Sequence, residues 1–426
     1  MSRRLPDGSP AASNGSAAAT WVAGQILLLA WGQNGDREPV DADDRTGDAM
    51  GMTGLRADRI TAVQAGMREE GLAAIVVMNH DDYRYLFGED RAQPRAILPA
   101  DGPPELIAFS AEEPELRAAY PDGAIRVFTS VGGQIHDVVD RLRELVAATT
   151  PPGGSRPKVG MQLWFDTPAF LVDLFRRVNP EVELVSSDPV MDPVRAVKDP
   201  GELALMRDAQ RIAGLGMDRA RELLRPGVRA HDVATEALYV MQRAGAEGTS
   251  TPVYVNVGPD TCMLHGRQSP APLENGQLVI VDLTPRVEGY CANLARTFVV
   301  GQPDERQAAL LDAYAEIVAT VPAALRPGAS IGDLDRLARA ACARHGLEQY
   351  HVPGIGHGIG LRFEERPAPT IIPQHRNVAL AEGMTVTIGH PVLAVPGVGG
   401  ARFEDVYRVT TEGGEPLAPY PIDPVL

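Results

Sequence analysis

The chain holds 426 residues, 44% of them hydrophobic and 23% charged, a composition that excludes a wholly disordered or fibrous protein and predicts two compact units. Its 56 acidic against 40 basic residues give a formal net charge of −16, which repels phosphate backbones and suits a small cationic or zwitterionic partner rather than nucleic acid. Cys262, Cys291 and Cys342 show neither CxxC nor Cys/His spacing, which excludes a disulfide framework and a zinc knuckle and fits a cytoplasmic protein.

The one membrane-like run, WVAGQILLLAW from Trp21 to Trp31, is shorter than the roughly 20 residues a span needs, and its flanks are poor for a secretory leader, so no membrane is expected. Residues 1–54 are expected to be a disordered extension, or one absent from the translated protein, since Met50 and Met52 stand just before the first regular pattern. From Asp58, RITAVQAGMREEGLAAIVVMN predicts an amphipathic helix, a stop at Gly71 and a buried strand. Strand-like RAILPA, ELIAFS and AIRVFTS and a helix from His136 to Ala148 complete an α/β pattern. KVGMQLWF reads as a further strand, and TPAFLVDLFRRVNP as a helix ending at Pro180. The Pro-punctuated MDPVRAVKDPGE marks a boundary near residue 195, dividing a unit of residues 55–195 from one of residues 196–426 that opens with a helix near Glu202.

The second unit repeats itself. LRPGVRAHDVATEAL and LRPGASIGDLDRLA each lead into a helix; each copy then carries a His-Gly pair, His265-Gly266 and His357-Gly358, and a glycine followed by an apolar strand, ENGQLVIVD and AEGMTVTIG. Aligning Gly276 with Gly383 sets Asp282 opposite Gly389. One such copy cannot bury both faces of its strand, so the two are expected to pair about a pseudo-two-fold axis around a shared cleft. The fold class is therefore α/β (α+β).

The reactive side chains assigned to that cleft are His265, Asp282, Asn293, His357, Glu364, His390, Arg402 and Glu404. The glycines of GIGHGIG permit a close backbone approach that packing alone does not require. Arg402 lies two residues before Glu404, so strand alternation puts them on one face, where Arg402 either pairs internally or grips a substrate. The same alternation points His390 away from the face that residue 389 would serve, unless a bulge intervenes. Tyr290 and Arg296 read as packing and ion-pair residues, Cys291 lacks an identifiable base, and His136, His231 and His345 read as surface groups.

DLTPRVEGYCANLARTFVVG, GIGHGIGL, EGMTVTIGHPVL and GGARFEDVYRVT resemble the motifs of the pita-bread hydrolases, a family that includes aminopeptidase P, prolidase, methionine aminopeptidase and creatinase. NHDDYRYLFGED resembles the amino-terminal domain of the aminopeptidase P and creatinase type, so the resemblance covers about residues 55–426. It implies a creatinase-like α/β domain followed by a pita-bread domain with an internal pseudo-two-fold repeat. Peptidases of the family bind two divalent metals through Asp, Asp, His, Glu and Glu, positions held here by Asp282, Asn293, His357, Gly389 and Glu404. Asn293 offers only a neutral oxygen and Gly389 offers none, so no metal cofactor is expected, although Asp282, His357 and Glu404 retain enough donors for a single ion. Glu364 stands where the peptidases carry an accessory histidine.

The lost carboxylates lean the resemblance toward the metal-independent, creatinase-like branch. The expected activity is hydrolysis or elimination at a non-peptide C–N bond (amide, amidine or cyclic amidine) of a small cationic or zwitterionic substrate, with His265 as general acid/base and His357 and Glu404 beside it. Asp282, Arg402 and Glu364 are the expected substrate contacts. GEDRAQPRAIL matches a loop that in creatinase-like relatives reaches into the partner subunit's site, so the resemblance also implies a homodimer in which Arg91 or Arg95 holds a substrate carboxylate. A nonenzymatic binding protein of the same fold and a single-metal Xaa-Pro-type peptidase remain as alternatives.

Overall fold

The computed structural model describes residues 56–425 except 122, 130–132, 150–154, 165–166, 267–269 and 367–372. The expected extension of residues 1–54 and its apolar run lie outside the described residues, apart from which no helix is long and apolar enough to cross a membrane.

The amino-terminal unit runs α1 (Ala57–Glu70), β1 (Leu72–Val77), α2 (His80–Phe87), β2 (Ala96–Pro99), β3 (Glu105–Phe109), α3 (Glu113–Ala119), β4 (Ala124–Phe128), α4 (Gly133–Thr149), β5 (Lys158–Met161), α5 (Ala169–Val178), β6 (Glu183–Ser186) and α6 (Asp188–Ala196). Its strands form one sheet in the order β4-β3-β2-β1-β5-β6. β1, β5 and β6 are parallel, while β2 runs antiparallel to both its neighbours. Helix α1 buries Ile60, Val63 and Met67 at three- and four-residue spacing and stops at Gly71, whose φ of 68° supplies the left-handed cap. KVGMQLWF is strand only as far as Met161. Beyond it the Thr167 hydroxyl bonds both the Gln162 carbonyl and the Trp164 amide, and this side-chain-closed turn wins over the apolar pattern.

The boundary is stapled by buried charge. The Arg195 guanidinium of α6 donates to Asp82 on α2 and to Glu365 of the second unit, each at 2.7 Å, and Lys198 reaches the other Glu365 oxygen at 2.6 Å. Directly after it, Asp199 caps α7 (Pro200–Leu223) in a reciprocal capping box with Glu202, so the helix starts two residues before the predicted position.

The second unit continues with α8 (Ala230–Arg243), β7 (Gly248–Thr249), β8 (Tyr254–Val257), β9 (Leu278–Leu283), β10 (Pro285–Val287), β11 (Tyr290–Cys291), β12 (Leu294–Val299), α9 (Glu305–Thr320), α10 (Ile331–Arg344), β13 (Thr385–Ile388), β14 (Leu393–Val395), β15 (Gly399–Ala401), β16 (Asp405–Thr410) and β17 (Gly413–Pro416). The repeat is visible atom by atom. Gly227 and Gly328 have φ of 90° and 87°, and their amides bond the carbonyls of Leu273 and Leu380 at 2.9 and 2.8 Å. Gly276 and Gly383 have φ of 83° and 84° and bond Val300 and Val409 in the same way. One copy packs α7 and α8 on β9 and β12, and the other packs α9 and α10 on β13 and β16. The copies join where Ala295 and Glu404 exchange backbone hydrogen bonds of 3.1 and 3.0 Å, so Asp282 and Glu404 approach one cleft from opposite halves.

Candidate active site

β9 is buried along its whole length, and a strand that is otherwise apolar carries Asp282 into the interior. The His357 loop lies flat on β13: the His357 amide bonds the Thr387 hydroxyl at 3.2 Å, and Thr387 N–H donates to the His357 carbonyl at 2.8 Å. A Cβ at Gly356 would overlap the Thr387 carbonyl oxygen, so the close approach read into GIGHGIG is real at that position.

The buried side chains form one network. Arg402 spans the cleft, donating from Nη1 to Asp282 Oδ2 at 2.8 Å and from Nη2 to Glu404 Oε2. Asn293 Nδ2 donates to the other Asp282 oxygen at 3.0 Å. His390 Nδ1 lies 3.2 Å from Glu404 Oε1 and 3.0 Å from Arg402 Nη2, and His357 Nε2 is 3.7 Å from Glu404 Oε1. Burial pushes the Asp282 carboxyl up to about 6 against the pull of Arg402, and lowers His390 to about 4. Burial alone would raise Glu404, but Arg402, His390 and His357 together hold it well below the carboxylate range. Arg402 is itself raised because Asp282 and Glu404 outweigh its desolvation.

Sequence reasoning brought Asp282, Asn293, His357, Arg402 and Glu404 together, and they meet. Arg402 takes the internal pairing. His265 stands apart: it is exposed, stacked on Tyr254 at a centroid distance of 5.1 Å, and facing the cluster closely enough that burial and then the Arg402 charge lower its pKa. Glu364 is half-buried at the same mouth. Arg91 donates to Glu89 at 2.7 Å within the amino-terminal unit. Arg95 lines a separate cavity of about 700 Å³, with Asn79, Asp81, Gln162, Phe175 and Arg286, that shares no residue with the cluster. Arg296 pairs with Asp405, and the Tyr290 hydroxyl with Glu202, as structural groups. Burial pushes the Cys291 thiol up to about 12, unfit for a nucleophile.

His390 corrects the alternation argument. β13 ends at Ile388, and Gly389 takes φ of 106°, so the chain turns and swings His390 into the cluster, where its ring lies 4.7 Å from that of His357. A Cβ on residue 389 would overlap the Phe403 carbonyl oxygen. Gly389 is therefore a rerouted backbone, with no room left for the carboxylate it replaces.

The two-metal set implied by the resemblance does not fit these residues. Both Asp282 oxygens and one Glu404 oxygen already accept from Asn293 and Arg402, Asn293 presents a donor where a bridging carboxylate would stand, and residue 389 cannot carry a side chain.

The family model described as Creatinase/Prolidase N-terminal domain matches residues 59–197, and that of Metallopeptidase family M24 matches residues 204–411. The chain is 31% identical to the Xaa-Pro dipeptidase of Pyrococcus furiosus over 58% of its own length and 70% of that protein's. It is 30% identical to the "Probable dipeptidase PepE" of Mycobacterium tuberculosis over 84% of its length and 92% of that protein's. Dipeptidase PepE from Mycobacterium ulcerans superposes with a TM-score of 0.72 at 26% identity, over 87% of this chain and 98% of that one. These similarities overturn the expected metal-independent cleavage of a non-peptide C–N bond, since these two PepE relatives, which span both units, are named dipeptidases. The loss of two ligands, read alone, pointed to the wrong branch.

Proposed function

The chain belongs to metallopeptidase family M24, and on that premise we propose that it hydrolyses the peptide bond of dipeptide-sized substrates, Xaa-Pro dipeptides foremost. The observation that carries this reading is the match to a named dipeptidase across both units, 92% of that protein's length. Asp282, His357, His390, Arg402 and Glu404 are closed off from solvent, leaving the mouth at Glu364 and His265 as the approach. Met263 and Leu264 are exposed beside His265, an apolar rim that suits a prolyl ring or another apolar side chain. His265, with its pKa lowered, is neutral at neutral pH and can accept a hydrogen bond or a proton from a group held at that mouth.

The test is a panel of Xaa-Pro and non-prolyl dipeptides, incubated with the full-length protein with and without added manganese, cobalt or zinc, and read by mass spectrometry. Release of free amino acids, fastest from the prolyl members, is expected. Failure to cleave any dipeptide under every condition would refute the proposal and leave a peptide-binding cleft.

A further inference from the structure

We propose that this chain holds one divalent transition-metal ion of the zinc class between His357, His390 and Glu364, a donor set different from the Asp, Asp, His, Glu, Glu arrangement. One potential ligand atom from each of the three lies within 4.8 Å of the other two, and His390 Nε2 is 3.9 Å from Glu364 Oε1. Donors bound to one tetrahedral zinc are roughly 3.3 Å apart, given metal–ligand bonds of about 2.0 Å. Closing that difference falls to Glu364, the half-buried member.

The histidines are held as metal ligands are held. His357 Nδ1 lies 2.9 Å from the Gly358 carbonyl, which can only accept, so the proton sits on Nδ1 and Nε2 keeps its lone pair. His357 is fully buried, and its Nε2 has no hydrogen-bond partner among the described residues, which is costly unless something occupies that lone pair. His390 Nδ1 lies between Glu404 Oε1 at 3.2 Å and Arg402 Nη2 at 3.0 Å, and in the tautomer protonated at Nδ1, which donates to Glu404, the far nitrogen carries the free lone pair. The Tyr314 hydroxyl lies 2.6 and 2.5 Å from the carbonyl oxygens of Gly389 and Pro391 and shares its one proton between them, tying down the backbone on both sides of His390. Two histidines and one carboxylate also leave a fourth position open, the pattern of a catalytic rather than a structural zinc site.

One departure, Gly389, therefore helps remove one site and build another. Gly389 deletes a carboxylate and, by its turn, delivers His390; Glu364 supplies an anion within reach of it.

The experiment uses the full-length protein freed of metal by chelator dialysis, titrated calorimetrically with zinc, with cobalt visible spectra as a second readout. One equivalent is expected. Glu364→Gln and His390→Asn, with unchanged circular dichroism, should each weaken zinc at least about tenfold and alter the cobalt bands. Glu364→Gln lies at the half-buried mouth and keeps the test valid if the His390 variant misfolds. Two equivalents, no binding, or an affinity that Asp282→Asn abolishes while Glu364→Gln leaves it within about twofold would overturn the proposal. Zinc binding at this set by a protein that cleaves no dipeptide would uphold this site and refute the peptidase reading.

Discussion

Replacing Glu365 by glutamine tests whether the two units are joined by charge. Both of its oxygens are committed, Oε2 to Arg195 at 2.7 Å and Oε1 to Lys198 at 2.6 Å, in a site where all three side chains are buried. At an effective dielectric of about 20 each contact is worth roughly 6 kcal/mol of Coulomb energy, most of which desolvation cancels. The cost of removing the anion is set by what it strands. Arg195 keeps Asp82 at 2.7 Å, whereas Lys198 loses the one carboxylate within 4 Å among the described residues. The expected loss is about 3–5 kcal/mol in urea unfolding, and Glu365→Gln combined with Lys198→Met should recover about half of it, since the stranded ammonium is then gone. Burial works to raise the Glu365 carboxyl, but Lys198 and Arg195 hold it below its ordinary 4.5. A depressed carboxyl stabilises the fold above that ordinary value, so the gap between the parent and Glu365→Gln should be full at neutral pH and shrink as the pH falls below about 4.5. A loss under about 1 kcal/mol, or a Lys198→Met change that adds to the damage, would refute the reasoning.

Two further outcomes follow from single atoms. Gly389→Ala should cost about 2–5 kcal/mol in the same unfolding assay, because φ of 106° disfavours a side chain and the added Cβ would lie 2.8 Å from the Phe403 carbonyl carbon; a cost under about 1 kcal/mol would mean the turn is soft. Burial pushes the thiols of Cys291 and Cys342 up to about 12 and about 11, so iodoacetamide at pH 8 should label the half-buried Cys262 first, and peptide mapping that finds Cys291 labelled as fast would contradict its burial.

Much of the cleft was legible because it rests on repetition and local geometry. The paired LRPG turns and the glycines at 276 and 383 adopt matching dihedrals and hydrogen bonds because both copies solve the same local problem, and this put Asp282 and Glu404 across one cleft. Arg402 and Glu404 do meet, as the two-residue spacing predicted, although they lie in the short connection between β15 and β16 rather than in regular strand. His265 was assigned to the cleft from its His-Gly pair and to an acid/base role from the family resemblance; the structure adds that it stands exposed on Tyr254, a position that local sequence could not distinguish from a buried one.

Composition, repeat and motif by themselves determined the two units, the pairing of like halves and the weakness of the two-metal set at Asn293. Only the tertiary structure decided what replaced that set. Whether residue 390 points in or out depends on the φ of Gly389, and around that residue the backbone of Phe403, in the connection before β16, packs too close for a side chain while the Tyr314 hydroxyl bonds its carbonyl. Alternation is a rule for regular strand, and a glycine at positive φ suspends it for reasons that lie outside the local sequence. The junction of His357, His390 and Glu364 likewise comes from two loops folded onto one sheet, where no spacing in the chain could announce it.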